Sequence, residues 1–278
     1  MATDPARERD RADEARNADD ESVDSFFEIP AAVLCNFCGA SDCPGCVVAD
    51  EHASGVIAII PWERPGRLWT RLWSTATATT NGAESFFAAL PDGEVSPAMR
   101  FALLAELLAV ASMALLLVPI LAIALPGVAA HIIESPALRM TAARWVALGV
   151  PLLSVWMMAA HVTHGAALDV GARRQGGRTQ RRRAVRYGLY ACGWDLMGGP
   201  LGAAVAFLGK GKRAVRSVLD AQRSVPGRAA QAFLQGVYGL DERETLRARR
   251  VGGLAAVVIT LASGFGLVGI IITALVWR

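Results

Sequence analysis

Four of the chain's five cysteines fall within twelve positions, in the stretch "LCNFCGASDCPGCVV". Cys35, Cys38, Cys43 and Cys46 give the pattern C-x2-C-x4-C-x2-C. Each C-x2-C pair can turn both sulfurs toward one point, and Gly39 and Gly45 permit the tight backbone turns this needs. Four thiolates at about 2.3 Å form the tetrahedral shell that structural zinc prefers. Such a site is closed, so its role is to fold a module too small to hold a core unaided. The spacer of four is shorter than the roughly 12 to 20 residues of a zinc ribbon. Three other uses of the thiols stay open. Cys38-x4-Cys43-x2-Cys46 also has the plant-type spacing of an iron–sulfur cluster, whose fourth ligand lies elsewhere. The cysteines could also form a redox-sensing dithiol pair, or two disulfides if the segment lies outside a reducing compartment.

A second group of polar residues stands in or beside apolar runs. His161 and His164 are three apart, so on a helix they share a face, and Asp169 follows them. These are metal-ligand types, although histidines at a membrane interface are also commonly hydrated or hydrogen-bonded. Glu106 lies one turn inside an apolar segment, where water at the interface is expected to reach it. Asp195 is the most conspicuous, because an acid at the centre of a bilayer costs roughly 2.5–3.5 kcal/mol on insertion scales. It is a functional candidate unless it never reaches that depth. Cys192 reads as a small apolar residue. "GFGLVG" at 264–269 matches a dinucleotide fingerprint but lies within an apolar run with no βαβ context, so its small residues suit helix packing. No nucleophile–base set, phosphate loop or pair of catalytic carboxylates is legible, and the expectation is a protein that is not an enzyme.

The elements that must carry these residues are membrane helices. The chain has 278 residues, 53% of them hydrophobic, and the apolar ones are concentrated in runs. Residues 107–130 and 251–277 carry no charge, and a third run extends from Trp145 to Leu168. About 20 apolar residues cross a bilayer core as a helix, so each is long enough. The fold class expected is an all-α integral membrane bundle with a small zinc-knuckle-like module at its N-terminus. Its parts are a disordered acidic tail (1–29), the four-cysteine module (30–62), a juxtamembrane segment (63–98) and a transmembrane domain (99–278). The tail is read as disordered because it is almost wholly polar. Within the module, "GVIAIIPW" looks like a closing strand. Spans are expected at about 101–125, 144–167, 187–209 and 251–277.

In the juxtamembrane segment, "PGRLWTRLWSTATA" places Leu68, Trp69, Leu72, Trp73 and Ala76 on one helical face. Trp69 and Trp73, flanked by Arg, suit a helix lying in the headgroup layer. The alternative is that this face packs against the cysteine module.

Charge sets the orientation. Residues 1–100 hold 17 acids and 8 bases, while residues 101–278 hold 8 acids and 20 bases. Residues 173–186 carry seven Arg and no acid. Cytoplasmic loops are enriched in Lys and Arg, which puts this loop inside and, two spans earlier, the N-terminal hundred residues inside as well. That side is reducing, in keeping with zinc. Arg supplies 26 of the 28 basic residues, as in GC-rich bacterial genomes. Their position beside apolar runs points to anionic lipid headgroups, not nucleic acid. The location expected is a bacterial inner membrane, with a cytoplasmic N-terminus.

Residues 187–209 contain six Gly, with Gly198-Gly199-Pro200 in the middle, and lie between two basic loops. A re-entrant hairpin with both ends cytoplasmic satisfies both facts, and Asp195 would then lie near its bend. The competing reading is a single crossing.

At "ESFFAALPDGEVSPAMRFALLAELLAVA" the chain resembles the Yip family, multi-span membrane proteins that in eukaryotes interact with Rab GTPases. Phe86, Phe87, Gly93 and Pro97 stand where the family has an aromatic approach and a Gly/Pro turn before the first span. The likeness resumes at "HVTHGAALDVGARRQGG", "GPLGAAVAF" and "GVYGLDERETLRARR", and covers about residues 84–277. The chain departs from the usual five spans, because Lys210 to Arg228 is too polar to be one, and the cysteine module lies outside the likeness. The resemblance implies a non-enzymatic, membrane-organising protein that docks other membrane or cytoplasmic proteins. A transporter or intramembrane enzyme using Asp195, His161 and His164 is the alternative, as is a redox or metal sensor reading through the cysteines.

Overall fold

The computed structural model describes residues 34–35, 56–57 and 60–276. The chain divides into two units, Met1–Ile60 and Pro61–Arg278. In the first, β1 (Leu34–Cys35) pairs antiparallel with β2 (Val56–Ile57), Leu34 opposite Ile57 and Cys35 opposite Val56. Cys38, Cys43, Cys46 and the acidic tail lie outside the described residues.

The second unit is helical. After a 3-10 turn at Pro61–Glu63 come α1 (Leu68–Thr80), α2 (Ala83–Ala88), α3 (Val95–Ala124) and α4 (Pro126–Glu134). They are followed by α5 (Pro136–Arg174), α6 (Arg181–Ala191), α7 (Gly193–Gly198), α8 (Pro200–Tyr238) and α9 (Glu242–Val276). Pro126, Pro136 and Pro200 each sit at the first turn of a helix, where a missing N–H leaves no bond unmade. Gly239, left-handed at φ 66°, ends α8, a conformation that glycine adopts without strain.

Among the described residues, two helices, α3 and α5, are long and apolar enough to cross a membrane, and a bent pair of helices makes a third if it counts as one span. This is a membrane protein of the helical type. The two apolar helices are not uniform along their length. In α3 the buried residues lie in the first half, from Ala98 to Ala109, and in α5 they lie in the second half, from Ser154 to Ala172. The opposite ends, joined through α4, are bare: Leu115, Ile123, Leu148 and Leu152 are among the exposed large apolar residues. A stem with so many outward-facing apolar side chains has no means of staying in water, and a bilayer is the solvent that covers it.

The other end is compact. Its core is an aromatic cluster: Phe87 and Tyr187 have ring centroids 4.7 Å apart, Tyr187 and Phe233 4.6 Å, and Phe101 and Tyr190 5.5 Å. Such pairs contribute about 0.5–1.5 kcal/mol each beyond the area they bury. They join α2, α3, α6 and α8.

The expected third span has a different character from the first two. The break falls at Gly199, between α7 and Pro200, and the two arms, Arg181–Gly198 and Pro200–Leu208, are bent by 60°. From Tyr187 to Met197 the segment is mostly buried by protein, with Tyr187, Tyr190, Cys192 and Leu196 wholly enclosed. A second interruption falls at Gly211, whose φ of 71° and ψ of −164° break α8. The run expected at 251–277 lies in α9, which is helical to Val276.

The tryptophan face of α1 is split by packing. Leu72 and Ala76 are fully buried, Trp73 is half-buried, and Leu68 and Trp69 are exposed. The partner of this face within the second unit is α7: Gly193 fits against Ala76 and Thr79, and Trp194 donates from Nε1 to the Thr79 carbonyl at 2.8 Å.

Candidate functional site

The site is built on α3, α5 and the α6–α7 junction. Two glycines let α5 and α6 touch through their backbones. A Cβ on Gly188 would overlap the His161 carbonyl, and one on Gly165 would overlap the Ala184 carbonyl. This close approach carries Cys192 and Asp195, three apart and so on one helical face, up to His161. His161 Nε2 stands 2.9 Å from Asp195 Oδ2 and 3.7 Å from Glu106 Oε1. The ligand atoms of Glu106, His161 and Cys192 all lie within 4.8 Å of one another. Trp194 packs edge-on to the His161 ring at 5.9 Å.

The members differ in burial. Glu106 is 1% exposed and Asp195 28%, so the cluster has an enclosed floor and a partly open rim. Glu106 Oε1 has no hydrogen-bond partner among the described residues. A buried carboxylate oxygen without a partner costs free energy that something else must offset. The expectation that Glu106 reaches interfacial water is corrected here: the residues of α5 and α7 cover it. Asp195 does lie close to the Gly199 break and is bonded to a neighbouring apolar helix, through His161.

His164 is not in this cluster. Its Nδ1 is 3.2 Å from the Gly252 carbonyl, on α9, and its ring lies near Tyr187. The two histidines share a face of α5, but that face spans the seam between α7 and α9, and each meets a different one. Asp169 is elsewhere again. It accepts from the Gln180 backbone N–H at 2.9 Å and the Tyr238 hydroxyl at 2.7 Å, and pairs with Arg173 at 3.2 Å. It therefore ties the ends of α5, α6 and α8 together and is not a companion of the histidines.

Two features had no separate signal in the sequence. Cys192 reads as a small apolar residue, and only its i, i+3 relation to Asp195 hints otherwise. Arg186, the last of the seven loop arginines, is turned inward. Its Nη2 pairs with Glu63 Oε1 at 2.6 Å and its Nη1 donates to the Pro91 carbonyl at 3.1 Å. Tyr190 donates to the same Glu63 oxygen at 2.5 Å. Trp62 donates to the Pro97 carbonyl at 2.7 Å, and the Arg71 guanidinium both donates to the Trp62 carbonyl and lies over the Trp62 ring. The segment before α3 is thus fastened to the helical unit by polar bonds.

Compared with models of known families, with characterised proteins and with solved structures, the chain matches none. The site and fold therefore stand on their own geometry.

Proposed function

We propose that the chain is a multi-pass, non-enzymatic protein of a bacterial cytoplasmic membrane that organises or docks partner proteins, as the Yip family does. In this reading the N-terminal hundred residues and the arginine loop are cytoplasmic. Arg173, Arg174, Arg178, Arg181 and Arg182, exposed around the turn where α5 ends and α6 begins, meet anionic headgroups. Cys35, Cys38, Cys43 and Cys46 hold a structural zinc that folds the N-terminal module, with an iron–sulfur cluster as the alternative. The observation that supports the reading most is the division of the second unit. Its apolar stem gives it a membrane anchor, while its compact end clasps residues 61–97 through Glu63, Arg186, Trp62 and Pro97. A chain built to hold one segment firmly beside a bilayer suits presentation of a module to partners.

One observation favours a second reading, a transporter or intramembrane enzyme. Asp195, His161 and Glu106 meet at the base of the apolar stem, as a proton or cation relay would require. The full chain reconstituted in liposomes separates the two. Docking predicts that an imposed proton or zinc gradient decays as slowly as in empty liposomes. Rapid decay that Asp195→Asn abolishes would replace docking with transport.

A further inference from the structure

We infer that Glu106, His161, Cys192 and Asp195 form a binding site for one divalent transition metal of the zinc class. The inference is independent of the zinc proposed for the N-terminal cysteines, which lie in the other unit. Three observations carry it. The first is the donor set: a thiol, an imidazole and carboxylates are the ligands that zinc, cobalt and ferrous iron take in proteins. The second is spacing. Tetrahedral bonds of 2.0–2.3 Å place ligand atoms roughly 3.3–3.8 Å apart. The separations from His161 Nε2 to Asp195 and Glu106 are 2.9 and 3.7 Å, and the Glu106, His161 and Cys192 atoms lie within 4.8 Å of each other. Glu106, His161 and Cys192 supply three donors within 4.8 Å, and Asp195, which stands against His161, completes the shell by rotating its side chain. The third is Glu106 Oε1, which is buried, makes no hydrogen bond among the described residues and stands 3.7 Å from His161 Nε2.

Electrostatics agree with geometry. Among the described residues, the ion pairs of Glu106 and Asp195 are with His161 alone. Two acids and a thiol surround one imidazole in a cluster with a buried floor, and a divalent cation that displaces their protons offsets the negative charge they then carry. On binding, Cys192 releases to solvent the thiol proton that it otherwise directs at the Gly188 carbonyl, 3.7 Å away. His161 takes the metal through Nε2, so its bond to Asp195 becomes a shared coordination edge. Asp195, on the open rim, is the ligand through which the metal arrives.

The test uses the full chain in detergent with Cys35, Cys38, Cys43 and Cys46 all replaced by Ser, so that Cys192 is the last thiol. Titration with Co2+ is expected to load one ion per chain and give a near-ultraviolet thiolate-to-cobalt charge-transfer band that Zn2+ erases. Cys192→Ala, a small and apolar replacement at a buried position, should remove the band while elution and helicity stay unchanged. His161→Ala and Asp195→Asn should each weaken binding by more than the roughly 10–100-fold that loss of an outer-shell partner costs. Failure to bind cobalt, or a band unaltered by Cys192→Ala, overturns the site. Zinc content of the unmutated chain reads the other proposal separately. Two ions per chain against one in the four-serine variant supports both sites. One in each leaves this site standing and removes the zinc of the N-terminal module. One against none removes this site.

Discussion

Arg186 and Glu63, 123 residues apart in the chain, form an ion pair of 2.6 Å with the arginine only 1% exposed. The guanidinium comes from α6, whose first arginines, Arg181 and Arg182, are exposed, and it reaches across the compact unit to hold the turn that precedes α1. A Cβ on Gly93 would meet the guanidinium, so a larger residue there would require the arginine to shift. A buried arginine that loses its carboxylate keeps the desolvation penalty without the attraction.

Glu63→Ala should therefore cost about 3–5 kcal/mol, the usual effect of orphaning a buried charge. The double variant Glu63→Leu with Arg186→Met should be less destabilised than Glu63→Ala, because it removes both charges and keeps the volume. Thermal melting of the detergent-solubilised protein reads both. A double variant as unstable as the single one would mean that packing around Pro91 and Tyr190, not charge, sets the cost.

Gly188→Ala and Gly165→Ala should each disrupt the α5–α6 contact, since the added methyl meets backbone and not a movable side chain. Gly149 lies on the stem with open space around it, so Gly149→Ala should leave the melting temperature unchanged. Equal tolerance at all three positions would mean that α5 and α6 do not lie in backbone contact.

Tyr238 lies on α8 outside the apolar stem. Burial first, then the bond to the Asp169 carboxylate, pushes its hydroxyl above the ordinary tyrosine value. The protonated form is favoured by folding, so the stability it contributes is fully present below about pH 10 and falls as the pH rises above that. The melting-temperature gap between the parent and Tyr238→Phe should be constant from neutral pH up to that point and shrink beyond it. A gap that widens with alkali would rule out this bond as its origin.

Topology is the fourth prediction. In a cysteine-free background, Gln180→Cys and Asp220→Cys should both be labelled from the cytoplasm, and Arg278→Cys from the periplasm. The reasons are the basic loops on both sides of 187–209 and the enclosure of α6 and α7 by protein. Labelling of position 220 from the periplasm would establish a single broken crossing at Gly199.

The sequence by itself determined what depends on neighbours along the chain. The apolar runs in α3 and α5 are long enough to be spans because a bilayer reads length and hydropathy. The break at Gly198-Gly199-Pro200 is legible because proline and glycine act on their own backbone, whereas the helix carrying the second span starts at Pro136, before the expected 144. Glu106, His161 and Asp195 stand out for the same local reason, as polar residues within apolar surroundings. Only the tertiary structure decided which of them meet. His161 and His164 share a face by spacing, yet one turns to α7 and the other to α9, because backbone contact at Gly188 brings α6 up to His161. Cys192 gains Glu106 from 86 residues away along the chain, and the buried Arg186 gains its carboxylate, Glu63, from 123 residues away. Long-range partners of this kind are fixed by which helix surfaces can approach closely. That is a property of side-chain volumes in three dimensions, and no window along the sequence contains it.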